Sequence, residues 1–174
     1  MHVLGIDPGK TGGVALIEQT FDGIRRVAGS WVTPIIIGKK KAVYDAWAMF
    51  SMLKTMPEDT VGYIELAQAM RKGGQIQGVT STFSTGYGYG LWVMALTAAE
   101  IPFTVVRPQD WMKVVHSGMP KSEKKQNSIL MVERTFPGFS LVQPRCQTPH
   151  TGIADAINIA LYRFMQPIAK GAGE

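Results

Sequence analysis

Three acidic side chains stand where folding can bring them together for metal chemistry. Asp7 ends an apolar strand and precedes an Asp-Pro-Gly turn, Glu65 ends a second apolar strand, and Asp155 interrupts a helix of small and apolar residues. Carboxylates at the ends of adjacent strands repel each other, and a divalent cation removes that cost. Because hard oxygen ligands select Mg²⁺ or Mn²⁺ over softer metals, the pattern favours a site for these ions.

Each acid also has a purely structural interpretation. Asp7 can begin its turn by bonding its own backbone, and Glu65 can simply reach water at the rim of a sheet. Asp155 can be an exposed helical residue near a helix N-terminus, where the macrodipole favours negative charge. The metal interpretation therefore depends on the three acids meeting in space.

The composition is that of a folded protein with an anionic partner. The chain has 174 residues, of which 45% are hydrophobic, and a formal net charge of +5. It has no apolar run of the roughly 20 residues that span a bilayer, and no secretory signal. Cys146 is the one cysteine, which excludes an internal disulfide and a thiolate zinc cluster within one chain. We therefore expect no membrane partner and a location in the cytoplasm, bacterial or phage-infected, or in an organelle.

Basic and aromatic residues cluster in two regions that suit nucleic acid. Small groups of basic residues on a small domain indicate phosphate contacts, although each group alone is more often a solvated face. Aromatic faces among glycines can stack on unpaired bases, or can simply pack on the sheet. Three tryptophans, at positions 47, 92 and 111, are expected in the core instead. The predicted DNA-binding residues are Arg71, Lys72, Phe83, Tyr87, Tyr89, Lys121, Lys124 and Lys125.

The order of predicted elements gives an α/β fold with a five-stranded mixed sheet flanked by helices, in a single domain over residues 1–174. Alternating apolar residues and turn signals define the strands, and apolar residues at helical spacing define the helices. The strands are predicted over 2–7, 14–18, 24–32, 61–65 and 103–106, and the helices over 41–53, 88–99, 109–115, 122–135 and 152–164.

Several motifs, in order along nearly the whole chain, resemble the RuvC-type Holliday junction resolvases of the ribonuclease H-like superfamily. Three of them carry the acids: Gly5-Ile6-Asp7-Pro8-Gly9, Tyr63-Ile64-Glu65, and residues 154–160 around Asp155. Residues 83–90 (FSTGYGYG), 101–103 and 108–111 are similar to the phage-type and organelle-type branch of that group. The resemblance implies a ribonuclease H-like fold.

The resemblance also implies an activity, that of a Mg²⁺-dependent endodeoxyribonuclease that resolves four-way junctions in DNA recombination and repair. Two Mg²⁺ ions, replaceable by Mn²⁺, would drive phosphodiester hydrolysis. By analogy Asp7 would bridge both ions, with Glu65 and Asp155 holding one each. A homodimer, formed through the helix over 88–99, would supply two symmetric cuts, and the region over 71–90 would probe the branch point.

The chain departs from this family just before Asp155. Relatives carry an Asp or a His as a fourth group there, whereas this chain has His150 and Thr151. Thr151 is a poor substitute for a carboxylate, while His150 could serve as a metal ligand or a general base. Alternatively, Thr151 caps the helix and His150 is a surface residue. We favour a functional His150 as the fourth member of the catalytic set.

Three rival functions follow from the same residues. The segment 7–13 is similar to the phosphate loop of actin-like sugar kinases, but 174 residues are too few for their paired domains, and we expect no nucleotide cofactor. Thr151 leaves open a non-catalytic or weakly active protein that binds branched DNA. A nuclease that prefers flaps or other branches is the third alternative, and the preferred cleavage sequence is left open.

Overall fold

The computed structural model describes residues 1–39, 41–68, 71–72, 75–76, 78–120 and 126–166 of the chain. The strands are β1 (His2–Asp7), β2 (Gly13–Gln19), β3 (Arg25–Val32), β4 (Ile35–Ile37), β5 (Ala42–Tyr44), β6 (Thr60–Glu65), β7 (Arg71–Lys72), β8 (Gln75–Ile76) and β9 (Phe103–Val106). The helices are α1 (Ala46–Leu53), α2 (Val79–Ala98), α3 (Pro108–Val115), α4 (Asn127–Thr135) and α5 (Thr151–Met165).

The main sheet has five strands in the order β3-β2-β1-β6-β9. Strands β1, β2 and β3 form an antiparallel meander, whereas β6 and β9 run parallel to β1. The parallel pairs are joined through helices, as a parallel connection requires. The predicted α/β fold with a five-stranded mixed sheet is therefore confirmed.

Helices cover both faces of this sheet, which is why its central strands are apolar throughout. Helices α3, α4 and α5 pack on one face, where the buried cluster includes Val3, Ala15 and Ile157. Helices α1 and α2 pack on the other face, where Ile6 and Trp92 are buried. None of the helices in the described ranges is long and apolar enough to cross a bilayer.

Glycines let helix α5 approach the sheet closely. A Cβ at Gly5 would overlap the backbone carbonyl of Ala156, and one at Gly13 would overlap the first turn of α5. Gly12 and Gly152 form a parallel bridge between the loop after β1 and the start of α5. Main-chain contacts thus fix the position of α5 over β1 and β2.

Helices α1 and α2 begin at other residues than the sequence predicted. Residues 42–44 form strand β5, paired with β4, and α1 begins only after Asp45, whose carboxylate accepts a hydrogen bond from the Ala48 N–H at 2.9 Å. Helix α2 begins at Val79, not near Gly88; Gly88 lies inside the helix and leaves the space that the Tyr44 ring fills. Between β6 and α2, where no strand was predicted, lies the short antiparallel pair β7 and β8. Residues 122–125, at the predicted start of α4, lie outside the described residues.

The tryptophans divide between core and surface. Trp92 and Trp111 are buried, as predicted. The prediction for Trp47 is wrong, since this side chain is 75% exposed. It lies at the second position of the short helix α1 and contacts Phe50 at a centroid distance of 6.1 Å, instead of facing the sheet.

Candidate metal site and nucleic-acid interface

Asp7 and Glu65 end neighbouring parallel strands at the same edge of the sheet. The register pairs Ile6 with Ile64, so the two acids follow at equivalent positions. Neighbouring strands lie about 4.8 Å apart, so side chains at equivalent ends share one region. The Gly9 N–H donates to Asp7 Oδ1 at 3.2 Å, so Asp7 does bond its own turn as its structural interpretation requires.

Asp155 reaches the same edge from helix α5. The bridge between Gly12 and Gly152 places the first turn of α5 beside the loop that follows Asp7. Asp155 lies one turn further along, partly buried, and its Oδ1 accepts a hydrogen bond from the Ser128 hydroxyl of α4. The three acids from β1, β6 and α5 thus lie around one end of the sheet.

The pKa values of the three acids are raised by burial and, for Glu65 and Asp155, by the charges of neighbouring acids. The pKa of Glu65 is raised from 4.5 to about 7, mainly by burial; a hydrogen bond from Trp111 opposes the shift, and the charges of Asp7 and Asp155 add to it. Burial raises the pKa of Asp155 from 3.8 to about 6, with Asp7 again contributing and the Ser128 hydrogen bond opposing. The pKa of Asp7 is raised by burial, against the bond from Gly9. A bound divalent ion would offset both the cost of burying these carboxylates and the smaller repulsion between them.

The three carboxylates are the kind of ligand that a hard cation takes, although their side chains are not gathered around one position. Among the described residues, no three His, Cys, Asp or Glu side chains are grouped closely enough to hold an ion. In the same part of the chain, no basic side chain forms an ion pair with Asp7, Glu65 or Asp155. Oxygen ligands without a protein counter-charge are those that Mg²⁺ or Mn²⁺ would take.

His150 is the N-cap of helix α5. The ring atom Nδ1 accepts a hydrogen bond from the Ile153 backbone N–H at 3.1 Å. The backbone N–H of His150 donates to the Leu141 carbonyl at 2.9 Å. Thr151 is the first helical residue and is exposed, so the alternative in which Thr151 caps the helix is wrong. Because Nδ1 accepts, a neutral His150 ring carries its proton on Nε2. This tautomer favours a role for His150 as a hydrogen-bond donor from Nε2–H over the metal-ligand role, because neither ring nitrogen has a free lone pair.

Two further residues touch the acids and were not predicted to be functional. Trp111 Nε1 donates to Glu65 Oε2 at 2.7 Å, and Ser128 donates to Asp155. Trp111 was predicted to be a core residue; its ring is buried as predicted, and its N–H in addition contacts Glu65. A hydroxyl at position 128, followed by the apolar run 129–132, was a signal that a buried partner exists, because buried hydroxyls need one. The sequence did not identify that partner.

The predicted DNA-binding aromatics differ in exposure. Phe83 and Tyr87 are 73% and 52% exposed and stack on each other, with centroids 6.2 Å apart and planes at 10°. Tyr89 packs partly buried against the α1–α2 core. Tyr87 also contacts Tyr44, whose hydroxyl donates to the Pro8 carbonyl at 3.4 Å. The exposed pair thus adjoins the turn that follows Asp7.

The predicted basic contacts are only partly described. The backbone of Arg71 and Lys72 forms strand β7. Lys121, Lys124 and Lys125 lie outside the described residues. Lys10 is the basic residue nearest in sequence to Asp7, and its Nζ donates to the Ala42 carbonyl at 2.8 Å while lying 5.5 Å from the centre of the Tyr44 ring. It therefore ties the turn to strand β5.

Comparison with solved structures places this fold among the RuvC-like members of the ribonuclease H-like fold. A structure of Thermus thermophilus RuvC matches with a TM-score of 0.58 at 18% identity, over 95% of this chain and 94% of that chain. T. thermophilus RuvC in complex with a Holliday junction substrate matches with a TM-score of 0.65 at 17% identity, over 95% and 93%. No protein-family model and no curated protein sequence matches the chain.

Proposed function

We propose that this protein is a structure-selective DNA endonuclease that resolves four-way junctions by metal-dependent phosphodiester hydrolysis. The observation that carries the proposal is the meeting of Asp7, Glu65 and Asp155 at one edge of a RuvC-like fold, where each raises the pKa of a neighbour or has its own raised by burial. Fold alone does not define function, so the argument depends on this site.

The three carboxylates would hold two Mg²⁺ ions, or Mn²⁺ in their place, with Asp7 shared between them. Bound ions of this kind activate water and stabilise the leaving 3′ oxygen. The protein's own contribution is to hold the ligands in place. The Gly9 N–H fixes Asp7, and Tyr44 and Lys10 fix the turn that carries it.

His150 is proposed to hold a proton at Nε2, close to the scissile phosphate. Its Nδ1 is occupied by the Ile153 N–H, which orients the ring at the N-terminus of α5. A helix N-terminus also favours a phosphate group, because its free N–H groups and dipole attract anions. His150 would thus donate a hydrogen bond from Nε2–H to a phosphate oxygen, which stabilises the charge that develops there without transfer of the proton.

The exposed pair Phe83 and Tyr87 is proposed to contact unpaired bases at the branch point. Aromatic faces stack on any base, which suits recognition of a junction by its shape. Arg71 and Lys72 of β7, with Lys121, Lys124 and Lys125, are proposed to contact phosphates. Tyr89 packs into the α1–α2 core, so its contribution to DNA binding would be indirect.

A homodimer is proposed for the symmetric double cut, with α2 as its interface. Met94 is exposed, as are Gly86 and Gly90, at which an added Cβ would meet nothing within 4 Å. Leu91 is partly buried and packs against the core of its own chain. Trp92, on the same helix, is fully buried in the same core, as predicted, and is not available for the interface.

The test compares cleavage of a four-way junction and of a linear duplex in Mg²⁺ by the protein and by Asp7→Asn. We expect symmetric nicks in the junction alone, and a loss of at least about 10³-fold in Asp7→Asn with junction binding retained. Asp22→Asn, which changes an acid in the turn between β2 and β3, is the matched control and should cut normally. Equal cleavage by the protein and Asp7→Asn would refute the site.

The rival that a specific observation favours is a branched-DNA-binding protein with little or no catalysis. Thr151 supplies no carboxylate at the start of α5, and the described acids do not close around one point. That rival predicts tight junction binding without nicks in either Mg²⁺ or Mn²⁺. A flap nuclease would instead cut flaps faster than four-way junctions in the same assay.

A further inference from the structure

We propose that Trp111, Ser128 and His116 are positioning residues that hold Glu65 and Asp155 in the orientation that binds a divalent ion. This inference rests on the proposed metal-dependent nuclease and adds residues that the resemblance did not supply. Trp111 and Ser128 each occupy one oxygen of one carboxylate, which leaves the second oxygen of that carboxylate for the ion.

Trp111 orients Glu65. Its side chain, on α3, is buried, and its one polar atom, Nε1, donates to Glu65 Oε2 at 2.7 Å. A hydrogen bond to an ionised carboxylate is shorter and stronger than one between neutral groups. Trp92 offers a contrast, because its buried Nε1 has no hydrogen-bond partner among the described residues. The Trp111 N–H is therefore directed at a specific acceptor.

Ser128 orients Asp155, and it is itself held firmly. Its hydroxyl donates to Asp155 Oδ1, and its backbone carbonyl accepts from Asn158 Nδ2 at 2.9 Å. Asn158 is fully buried and its Nδ2 also donates to the Ala154 carbonyl at 2.9 Å, one residue before Asp155. Ser128 is thus tied to α5 through its side chain and through its backbone.

His116 connects the two arms. Its ring lies edge-on to Trp111, with centroids 5.2 Å apart and planes at 79°, and its Nε2 lies 3.3 Å from Ser128 Oγ. The hydroxyl proton of Ser128 goes to Asp155, so Oγ is left to accept from Nε2–H of His116. This direction is the reverse of a Ser-His nucleophile pair, in which the serine donates to the histidine.

The resulting chain of contacts runs behind the acids from Glu65 through Trp111, His116 and Ser128 to Asp155. Residues that bond to metal ligands orient them, and their loss weakens metal binding by about 10- to 100-fold. None of the three residues needs to touch DNA, so their removal should weaken metal binding without weakening junction binding.

The experiment titrates Mn²⁺ into the metal-free protein by calorimetry and compares variants that only remove atoms. Ser128→Ala and Trp111→Phe are the test variants. Ser51→Ala in α1 and Trp92→Phe in α2 are matched controls on the other face of the sheet, and Trp92→Phe removes an N–H without a described partner. Melting temperature and affinity for a four-way junction in Ca²⁺ are measured on every variant.

We expect Mn²⁺ affinity to fall about 10- to 100-fold in each test variant. The controls should bind Mn²⁺ as the unchanged protein does, even where Trp92→Phe lowers the melting temperature as much as Trp111→Phe. Junction affinity should be the same throughout. His116→Phe, which keeps the ring against Trp111, should weaken Mn²⁺ binding by less than Ser128→Ala, and no weakening would remove His116 from the proposal.

The outcomes separate this inference from the proposed function. If either test variant binds Mn²⁺ as tightly as its control, the positioning role is overturned while the nuclease proposal stands. If the unchanged protein does not bind Mn²⁺, or if Asp7→Asn binds it equally well, the proposed function itself fails. A fall in Mn²⁺ affinity that tracks the melting temperature across all four variants would show a merely structural role and would also overturn the inference.

Discussion

Replacing Glu65 with glutamine should stabilise the metal-free protein at neutral and alkaline pH. Burial and the neighbouring acids raise the pKa of Glu65 to about 7, from 4.5 in an unfolded chain. The folded state therefore holds a proton that the unfolded state has lost, and stability falls as pH rises from 4.5 to 7. Glutamine keeps an oxygen that can accept from Trp111 but cannot ionise, so this loss should disappear.

The size of the effect follows from the difference of 2.5 between the two pKa values. At about 1.4 kcal/mol per pKa unit, ionisation of Glu65 costs the folded state about 3 kcal/mol at pH 8. For a protein of this length, that corresponds to a difference in melting temperature of about 6–12 °C. Below pH 4.5 the carboxyl is protonated in both states, and the two proteins should be equally stable.

The assay is denaturant unfolding in EDTA at several pH values between 4 and 8. Glu58→Gln, at an exposed position, is the matched control and should follow the unchanged protein. A smaller slope should persist in Glu65→Gln, because burial also raises the pKa of Asp155, from 3.8 to about 6. The reasoning is refuted if the unchanged protein is equally stable at pH 4.5 and pH 8, or if Glu65→Gln retains the full decline.

Four further substitutions test the cap, the helix approach and the aromatic pair. His150→Asn keeps an N-cap acceptor, so unfolding free energy should change by less than about 1 kcal/mol, while loss of the Nε2–H donor should lower junction cleavage about 10²–10³-fold. Normal cleavage would show that His150 acts only as the N-cap. Gly5→Ala should cost about 3 kcal/mol by pushing α5 from the sheet, whereas Gly86→Ala should gain about 0.5–1 kcal/mol, both measured by denaturant unfolding. Tyr87→Leu should weaken junction binding by about 1–3 kcal/mol and leave linear-duplex binding unchanged, as gel-shift titration would report; an equal loss on both DNAs contradicts base stacking.

The sequence was a good guide to the acids because their positions depend on local patterns. Asp7 and Glu65 each end an apolar strand, and the small residues around Asp155 indicate a helix that packs closely on a sheet. Strand ends and close helix packing are local properties and indicate each acid as a candidate, whereas their approach to one edge was implied by the resemblance to the RuvC-type resolvases. Their hydrogen bonds could not be predicted, because Trp111 is 46 residues from Glu65 and Ser128 is 27 from Asp155.

The failures of prediction involve contacts with other segments of the chain. Residues 42–44 were included in a predicted helix, but pairing with β4 makes them a strand. Helix α2 extends nine residues further toward its N-terminus than predicted, and its Gly88, which suggested a helix start, instead makes room for the Tyr44 ring. Single-residue propensities contain no information about such partners.

The close approach of α5 to the sheet has a consequence for how this protein can change over time. Gly5, Gly12 and Gly152 bring polypeptide backbones into direct contact, so the spacing between the acids of β1 and α5 does not depend on the volume of the side chains around them. Substitutions among the surrounding leucines, isoleucines and valines should change stability through packing but leave this spacing in place. Substitution of Gly5 or Gly152 would instead force the backbones apart and move Asp155 away from Asp7.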